Sequence, residues 1–303
     1  VTNGAVVTDC SDDTFASPHH LIMPGRPRSM GDGWETRRRR GPGNDWVVVR
    51  LMGAGRVRRV EVDTTHYRGN APAGCSLDAR ARDDDSADWW PLVGQTRLQP
   101  DTRHLFTVDD AAAATRVRLN IFPDGGVARL RLYGTLDDAG AVDVGLRWLN
   151  TLPRGQAESR LLGCCASRRW AAGVAGRRPF GDLAGLEQAA DAVWWDLDFQ
   201  DWLEAFAAHP RIGDRTAGGR SASEQAGAHD ADEATLAALA EANRAYEQRF
   251  GHVFLVCATG KGAGEMLDEL RRRLGNGPET ELRVAAEEQR RITRLRLGAL
   301  LRS

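Results

Sequence analysis

The chain has 303 residues, which is room for two domains of ordinary size, each with its own hydrophobic core. Hydrophobic residues make up 42% of the composition and charged residues 27%, so a wholly disordered chain is excluded. The 41 basic and 42 acidic side chains leave a net charge of −1. With no overall field to attract nucleic acid or an anionic membrane, neither is expected as a partner.

Cysteine usage and targeting patterns both favour the cytoplasm. The five cysteines form no C-x-x-C pair and have no histidines at zinc-site spacing. An odd number without a disulfide framework is typical of a reducing compartment. No apolar run reaches the length of a membrane span, and the start shows no secretory leader pattern. The first residue is Val1 instead of methionine, which is compatible with a fragment and with an alternative start codon.

Residues 1–137 predict a domain of short antiparallel strands. Residues 46–51 are a β-branched run that ends at a turn containing Gly53 and Gly55. Residues 57–63, 116–122 and 128–133 alternate apolar and polar side chains, which is the pattern of half-buried strands. Many short strands with long loops predict a β-sandwich or jelly roll.

The pattern changes after residue 137 and predicts a second, all-α domain. We expect a linker at residues 138–145 and helices throughout residues 146–303. Gly251 should end a helix that contains Leu239 and Tyr246, and a long final helix should begin near Glu279. Residues 253–258 are the exception, since this apolar run predicts either a strand or an extended buried segment. The fold class is therefore multidomain, a β domain followed by an α domain.

His209 and Glu224 are the most suggestive pair in the α half. His209 precedes a proline that ends a helix, and a carboxylate fifteen residues later can return to it as an acid/base partner. Taken alone, these residues favour a simpler interpretation, in which His209 caps a helix and Glu224 is solvated. Arg296 lies on or beside the apolar stripe of the last helix, where a guanidinium either meets an anion or extends to the helix border. Such a set suits a small, anionic substrate without a metal.

Five ordered motifs then identify a family for residues 146–301. They are R-P-F at 178–180, A-H-P-R-I-G at 208–213, S-A-S-E-Q at 221–225, F-G-H-V-F at 250–254 leading to Cys257 and Ala258, and I-T-R-L-R-L at 292–297. This region resembles the 2-oxo-4-hydroxy-4-carboxy-5-ureidoimidazoline (OHCU) decarboxylases. The resemblance implies an all-helical, commonly dimeric enzyme that needs no cofactor and releases CO2 to give (S)-allantoin.

The same resemblance assigns site residues. The family's catalytic histidine corresponds to His209 and its paired glutamate to Glu224. Its substrate contacts correspond to Pro210, Ser221, Ala222, Ser223, Gln225, Phe254, Leu255, Val256, Cys257, Ala258 and Arg296. We expect Arg296 and backbone N–H groups near residues 256–258 to stabilise the charge that CO2 loss leaves behind. His209 would handle the proton.

Several motifs in the β half point to another family. They are C-S-D at 10–12, G-D-G-W-E-T-R-R at 31–38, D-W at 45–46, V-D-T at 62–64, G-N-A-P at 69–72, and P-D-G-G at 123–126 with R-L-R at 129–131. This half resembles the second of two β-sandwich repeats of allantoicase, which hydrolyses allantoate to ureidoglycolate and urea. The candidate site residues, to which no metal is assigned, are Asp32, Glu35, Arg37, Asp63, His66 and Asn70. Without the resemblance, they are equally well explained as charged turns.

Two departures leave an alternative open. The first repeat is absent, and Asn44 stands where the family usually has a histidine. The chain is thus expected to be a bifunctional protein of purine catabolism that binds small ureido substrates and forms a homo-oligomer. The alternative is a decarboxylase whose β domain is a non-catalytic module for assembly or ligand binding.

Overall fold

The computed structural model describes residues 4–81, 88–212 and 232–303. Contacts between Cα atoms divide the chain into two compact units, Val1–Val144 and Gly145–Ser303. The first is built of strands and the second of helices, so the predicted fold class is confirmed.

The strands of the first unit end in loops that carry most of the candidate residues of this half. The strands are β1 (Val6–Cys10), β2 (Trp34–Glu35), β3 (Asp45–Asp63), β4 (Gly74–Arg80), β5 (Trp90–Arg97), β6 (Arg103–Thr107), β7 (Ala114–Phe122), β8 (Gly126–Val127) and β9 (Arg129–Leu136). Seven of them share one hydrogen-bonded network, and β2 pairs with β8.

The long strand β3 joins the two layers of this unit. Its residues 45–50 pair with β1 and β7 in a layer that continues through β4 to β5. After an irregularity between Arg50 and Gly55, its residues 55–63 pair with β9, and residues 59–63 also with β6. The sequence predicted two strands separated by a turn here. That prediction was wrong because the glycines let the chain bend from one layer to the other without reversing.

One core lies between the layers. Val47 and Val49 from the first part of β3 belong to the same buried cluster as Val60 and Val62 from the second. Leu119 of β7 is also fully buried, as the alternating pattern predicted. The alternation therefore identified the inner faces of both layers.

Tyr67 explains why two of the motifs carry glycine. Its ring is fully buried and its hydroxyl donates a hydrogen bond to the carbonyl oxygen of Met30 at 2.7 Å. A Cβ atom at Gly126 would overlap the ring, and one at Gly33 would overlap the hydroxyl. Close backbone approach thus requires glycine at both positions.

The regular secondary structure described in the second part of the chain is all helical. Its helices are α1 (Asp138–Thr151), α2 (Arg154–Leu162), α3 (Arg168–Ala175), α4 (Leu183–Trp195), α5 (Phe199–Ala207), α6 (Glu233–Phe250), α7 (Ala263–Arg273) and α8 (Pro278–Leu301). Gly251 ends α6 in the left-handed conformation with φ of 76°, as predicted. None of the described helices is both long enough and apolar enough to cross a membrane.

Where the sequence predicted a linker, at residues 138–145, the structure has the first turns of α1. The side chain of Asp137 accepts a hydrogen bond from the Gly140 N–H at 2.8 Å, and its own N–H donates to the Ala54 carbonyl at 3.1 Å. This cap starts the helix eight residues before Leu146, the first leucine of the predicted helical spacing.

Replacing Gly126 with alanine should destabilise the β unit, because the new methyl group overlaps the rigid, buried ring of Tyr67. We expect the free energy of unfolding to fall by about 1–3 kcal/mol in urea denaturation. Gly94→Ala is the matched control, since nothing lies within 4 Å of its Cβ position. Equal stability of the two variants would contradict the packing of Tyr67 described above.

Candidate active sites

His209 stands just beyond the C-terminus of α5. Asp198 caps the start of that helix by accepting hydrogen bonds from the N–H groups of Gln200 and Asp201. At the other end the His209 N–H donates to the Phe206 carbonyl at 3.0 Å, and Pro210 prevents another turn. Phe206 is fully buried, which anchors the end of the helix. The half-buried His209 side chain is therefore attached to a rigid element.

A pocket brings His209 and Pro210 together with the predicted substrate segment. Its other lining residues are Ile212, Phe254, Leu255, Val256, Cys257, Ala258, Thr259, Ile292 and Leu295. All five predicted contacts from the 254–258 segment are thus beside the histidine. The pocket walls combine apolar side chains and backbone polar groups with one imidazole.

The segment at residues 253–258 is extended and buried, and pairs with no strand among the described residues. Two buried charged side chains bind the middle of the segment. Arg273 of α7 donates from Nη1 to the Leu255 carbonyl at 2.7 Å, and Glu288 of α8 accepts from the Cys257 N–H at 2.7 Å. The Cys257 N–H, one of the groups expected to bind substrate, is therefore bonded to Glu288 in this structure.

Other predicted residues of this site are placed less directly. Ser221, Ala222, Ser223, Glu224 and Gln225 lie outside the described residues. Arg296 is half-buried on α8, one residue after Leu295 of the pocket lining. Burial raises the pKa of the nearby Cys165 thiol to about 12, and the positive charge of Arg296 opposes this shift slightly.

The Cys257 thiol stays protonated. Burial and the nearby carboxylate of Glu288 both raise its pKa above the ordinary value, because each disfavours a thiolate. A protonated thiol is a poor nucleophile, so the electrostatics of this pocket do not favour covalent catalysis by cysteine.

In the β unit the structure pairs two of the candidates. The Asn70 amide donates to Glu35 Oε1 at 2.6 Å, joining the loop after β3 to the motif that contains β2. Burial raises the pKa of the neighbouring Tyr67, and the carboxylates of Glu35 and Asp32 add to the effect. Asp32 itself accepts a hydrogen bond from the Arg28 N–H at 2.7 Å. Asn70 is therefore paired with Glu35, and the two acidic candidates Asp32 and Glu35 both act electrostatically on Tyr67.

The basic run that begins at Arg37 is anchored by carboxylates. Arg37 Nε lies 2.7 Å from Asp12 Oδ2, with the guanidinium largely exposed. Arg39 Nη2 lies 2.5 Å from Asp45 Oδ1, and Asp45 is buried. The first pair ties the G-D-G-W-E-T-R-R motif to the C-S-D motif, and the second ties Arg39, just after it, to the D-W motif. Part of the motif set therefore serves the loop structure.

Asp63 and His66 are not brought to a common point. The Asp63 carboxylate is buried and accepts two hydrogen bonds from Thr65, whereas His66 Nε2 lies 3.2 Å from the Pro27 carbonyl. Across residues 4–81, 88–212 and 232–303, no three His, Cys, Asp or Glu side chains are grouped as metal ligands. A larger groove between the bend of β3 and β9 is lined by none of the candidates.

Arg273 and Glu288 were missed by the sequence reasoning. A signal existed for Glu288, since it lies among Ala285, Gln289 and Ile292 on the inner stripe of the last helix. A carboxylate on such a stripe requires a partner, which is the argument that had been applied to Arg296. For Arg273, at the end of a helix of mixed charge, no local pattern distinguishes a buried arginine from a solvated one.

Fold and site together define a protein of two separately folded units, an α unit with a histidine pocket and a β unit with a polar loop cluster. The OHCU decarboxylase family model matches residues 150–298, and the allantoicase repeat model matches residues 1–137. The β unit is therefore similar to an allantoicase repeat, and the α unit is similar to an OHCU decarboxylase domain.

Individual relatives agree with this division. A probable allantoicase of Nocardia farcinica is 53% identical over 135 residues, covering 44% of this chain and 40% of that protein. Allantoicase of Dictyostelium discoideum is 45% identical over 149 residues, covering 46% and 40%. A crystal structure of an OHCU decarboxylase in the presence of (S)-allantoin is 36% identical, covers 47% of this chain and 96% of that one, and has a TM-score of 0.43. The chain spans about two fifths of the length of the allantoicases it matches.

His252 gives the α unit a pH-dependent stability. Its ring packs against Phe206, Tyr246 and Phe250, and burial lowers its pKa below the ordinary 6.5. His252 therefore binds a proton more readily in the unfolded chain than in the folded chain. The free energy of unfolding falls as the pH drops from above 6.5, the pKa in the unfolded chain, towards the lower pKa of the folded chain. We expect the melting temperature of His252→Phe to fall less than that of the wild type between about pH 7.5 and about pH 5.5. Parallel curves would contradict this origin.

Proposed function

We propose that the α unit decarboxylates OHCU to (S)-allantoin. The observation that carries the proposal is the pocket in which His209 faces residues 254–258, within a region that matches the OHCU decarboxylase family. The reaction suits the pocket because a carboxylate bound to a carbon next to an imine can leave as CO2 without an external electron acceptor.

The proposed reaction breaks the bond between the ring carbon and its carboxylate. The electron pair moves into the adjacent ring imine, whose nitrogen takes up a proton from solvent. The 4-hydroxyl group then loses its proton to become a carbonyl, and the neighbouring ring carbon gains a proton. His209 lies at a position from which it can transfer one of these protons. Backbone N–H groups of the 254–258 segment and the guanidinium of Arg296 would stabilise the developing charge.

Roles for the remaining predicted residues complete the proposal. Glu224 would orient the imidazole of His209, and Ser221, Ala222, Ser223 and Gln225 would contact the substrate, as the family resemblance implies. A single proton donor on one side of a bound planar intermediate delivers its proton to one face, which accounts for one enantiomer of the product.

Substituting His209 with asparagine should lower kcat for decarboxylation by about 100-fold or more, because the variant retains hydrogen bonding but cannot exchange a proton near neutral pH. Circular dichroism of the allantoin formed measures both rate and handedness. His19→Asn is the control, since His19 is an exposed histidine of the β unit. Near-normal turnover by His209→Asn would overturn the catalytic role of His209.

We further propose that the β unit takes part in hydrolysis of allantoate to ureidoglycolate and urea. Its support is the allantoicase match together with the hydrogen bond between Asn70 and Glu35 and the electrostatic effect of Glu35 and Asp32 on Tyr67. The alternative is a non-catalytic module for assembly or ligand binding, favoured by Asn44 at a position where the family usually has a histidine.

Release of urea from allantoate by the purified chain distinguishes these two functions. We expect urea formation, reduced about tenfold or more in Glu35→Gln because the carboxylate is lost while the contact with Asn70 is kept. Asp109→Asn, at an exposed position of the same unit, should retain the wild-type rate. Absence of urea from an otherwise active decarboxylase would establish the module interpretation.

We also propose a cytoplasmic homo-oligomer that binds small ureido compounds. All five cysteines are free thiols, in keeping with a reducing compartment, and three of them are buried. The resemblance to dimeric decarboxylases supports association, which light scattering of the purified chain measures directly.

A further inference from the structure

Within residues 4–81, 88–212 and 232–303, no strand pairs with the backbone of the 254–258 segment, so its hydrogen bonds must be satisfied in another way. Buried N–H and C=O groups are almost always paired, because an unpaired group loses the free energy of its bonds to water. In an extended chain, alternate residues direct these groups to opposite edges. Each edge of the segment therefore needs its own partners.

Buried charged side chains occupy one edge. The Leu255 carbonyl and the Cys257 N–H, two residues apart, face the same way and are bonded to Arg273 and Glu288. Both side chains are almost inaccessible, 4% exposed for Arg273 and 6% for Glu288. Two helices thus hold this edge from the protein interior.

Val256 presents the other edge. This residue is 3% exposed and lines the pocket beside His209. No hydrogen bond from the described part of the chain reaches its N–H or its C=O. A substrate oxygen and a substrate N–H are the partners that these two groups suit, as in a ureido group or the ring amide of a hydantoin-like compound.

Glu288 is itself held in place. Its Oε1 accepts a hydrogen bond from Arg291 Nη1 at 2.9 Å, while Oε2 accepts from the Cys257 N–H. Its helix α8 also provides Ile292 and Leu295 to the pocket lining. The carboxylate therefore fixes the rotation of the segment relative to the helix that forms another wall of the pocket.

We infer that Glu288 is a positioning residue for the decarboxylation: by binding the Cys257 N–H, it directs the Val256 N–H at the substrate oxygen on which charge develops. The inference rests on the proposed function of the α unit. Glu288 does not itself touch the substrate, since both of its oxygens are directed to protein groups.

A pair of nearly isosteric substitutions tests this role. Glu288→Gln keeps a carbonyl oxygen that can accept from Cys257, whereas Glu288→Met has a similar size and no such acceptor. We expect kcat of Glu288→Met to be about 10- to 100-fold below that of Glu288→Gln, with KM changed much less. The reason is that a misoriented Val256 N–H weakens binding of the transition state more than binding of the substrate. Turnover of OHCU generated in situ is followed by the circular dichroism of (S)-allantoin, at a temperature where every variant is folded.

The neighbouring Glu287 provides the control. It forms a surface ion pair with Arg290 at 2.6 Å, so Glu287→Met should keep kcat within about twofold of the wild type. Equal kcat for Glu288→Gln and Glu288→Met, with an active wild type, overturns the positioning role alone. An inactive wild type overturns the proposed function as well.

If Glu288→Met does not fold, Glu288→Asp replaces it, because the shorter carboxylate cannot reach Cys257 in the same geometry. A kcat of Glu288→Asp equal to that of Glu288→Gln then overturns the inference.

Discussion

The α unit depends on the guanidinium of Arg273. It donates to Glu281 of α8 at 2.8 and 2.6 Å and to the Leu255 carbonyl at 2.7 Å, and it lies over the ring of Phe254. Tyr246 of α6 and Asn276 also donate to Glu281. One buried ion pair thus connects three helices with the pocket segment. Such a pair adds little stability compared with apolar packing. Removing one partner, however, leaves the other charge buried and unpaired, which costs about 3–5 kcal/mol of stability.

That network builds one wall of the pocket from backbone that no strand in the described part of the chain supports. Arg273 and Glu288 supply the hydrogen bonds that a neighbouring strand would otherwise give, yet they engage only one edge. A β-strand paired on both sides would use the N–H and C=O groups of both edges and leave none to bind a ligand. Because the partners are side chains on packed helices, the free edge is fixed before the substrate arrives, and little ordering entropy remains to oppose binding.

The sequence predicts features that depend on local contacts better than features that depend on residues far apart in the chain. Alternation in β7 identified Leu119 and Ile121 as buried, and Gly251 marked the end of α6, because both signals are local. The continuous strand β3 was missed because its bend depends on an exchange of partners from β7 to β9. Likewise, no spacing places His209 beside Val256; the family resemblance supplied that proximity. Arg273 was missed because its burial is decided by Glu281 and Phe254, and not by its own helix.

The two proposed reactions do not follow one another directly. Decarboxylation yields allantoin, a closed ring, whereas the β unit would act on allantoate, in which that ring has been hydrolysed open. A separate ring-opening hydrolysis must therefore lie between the two reactions. Covalent linkage raises the effective concentration of a shared intermediate only when one site releases what the other binds. The physical consequence of joining these units in one chain is therefore a fixed one-to-one ratio of the two units. The allantoin that the α unit would release must diffuse away and be ring-opened before the β unit can act on it.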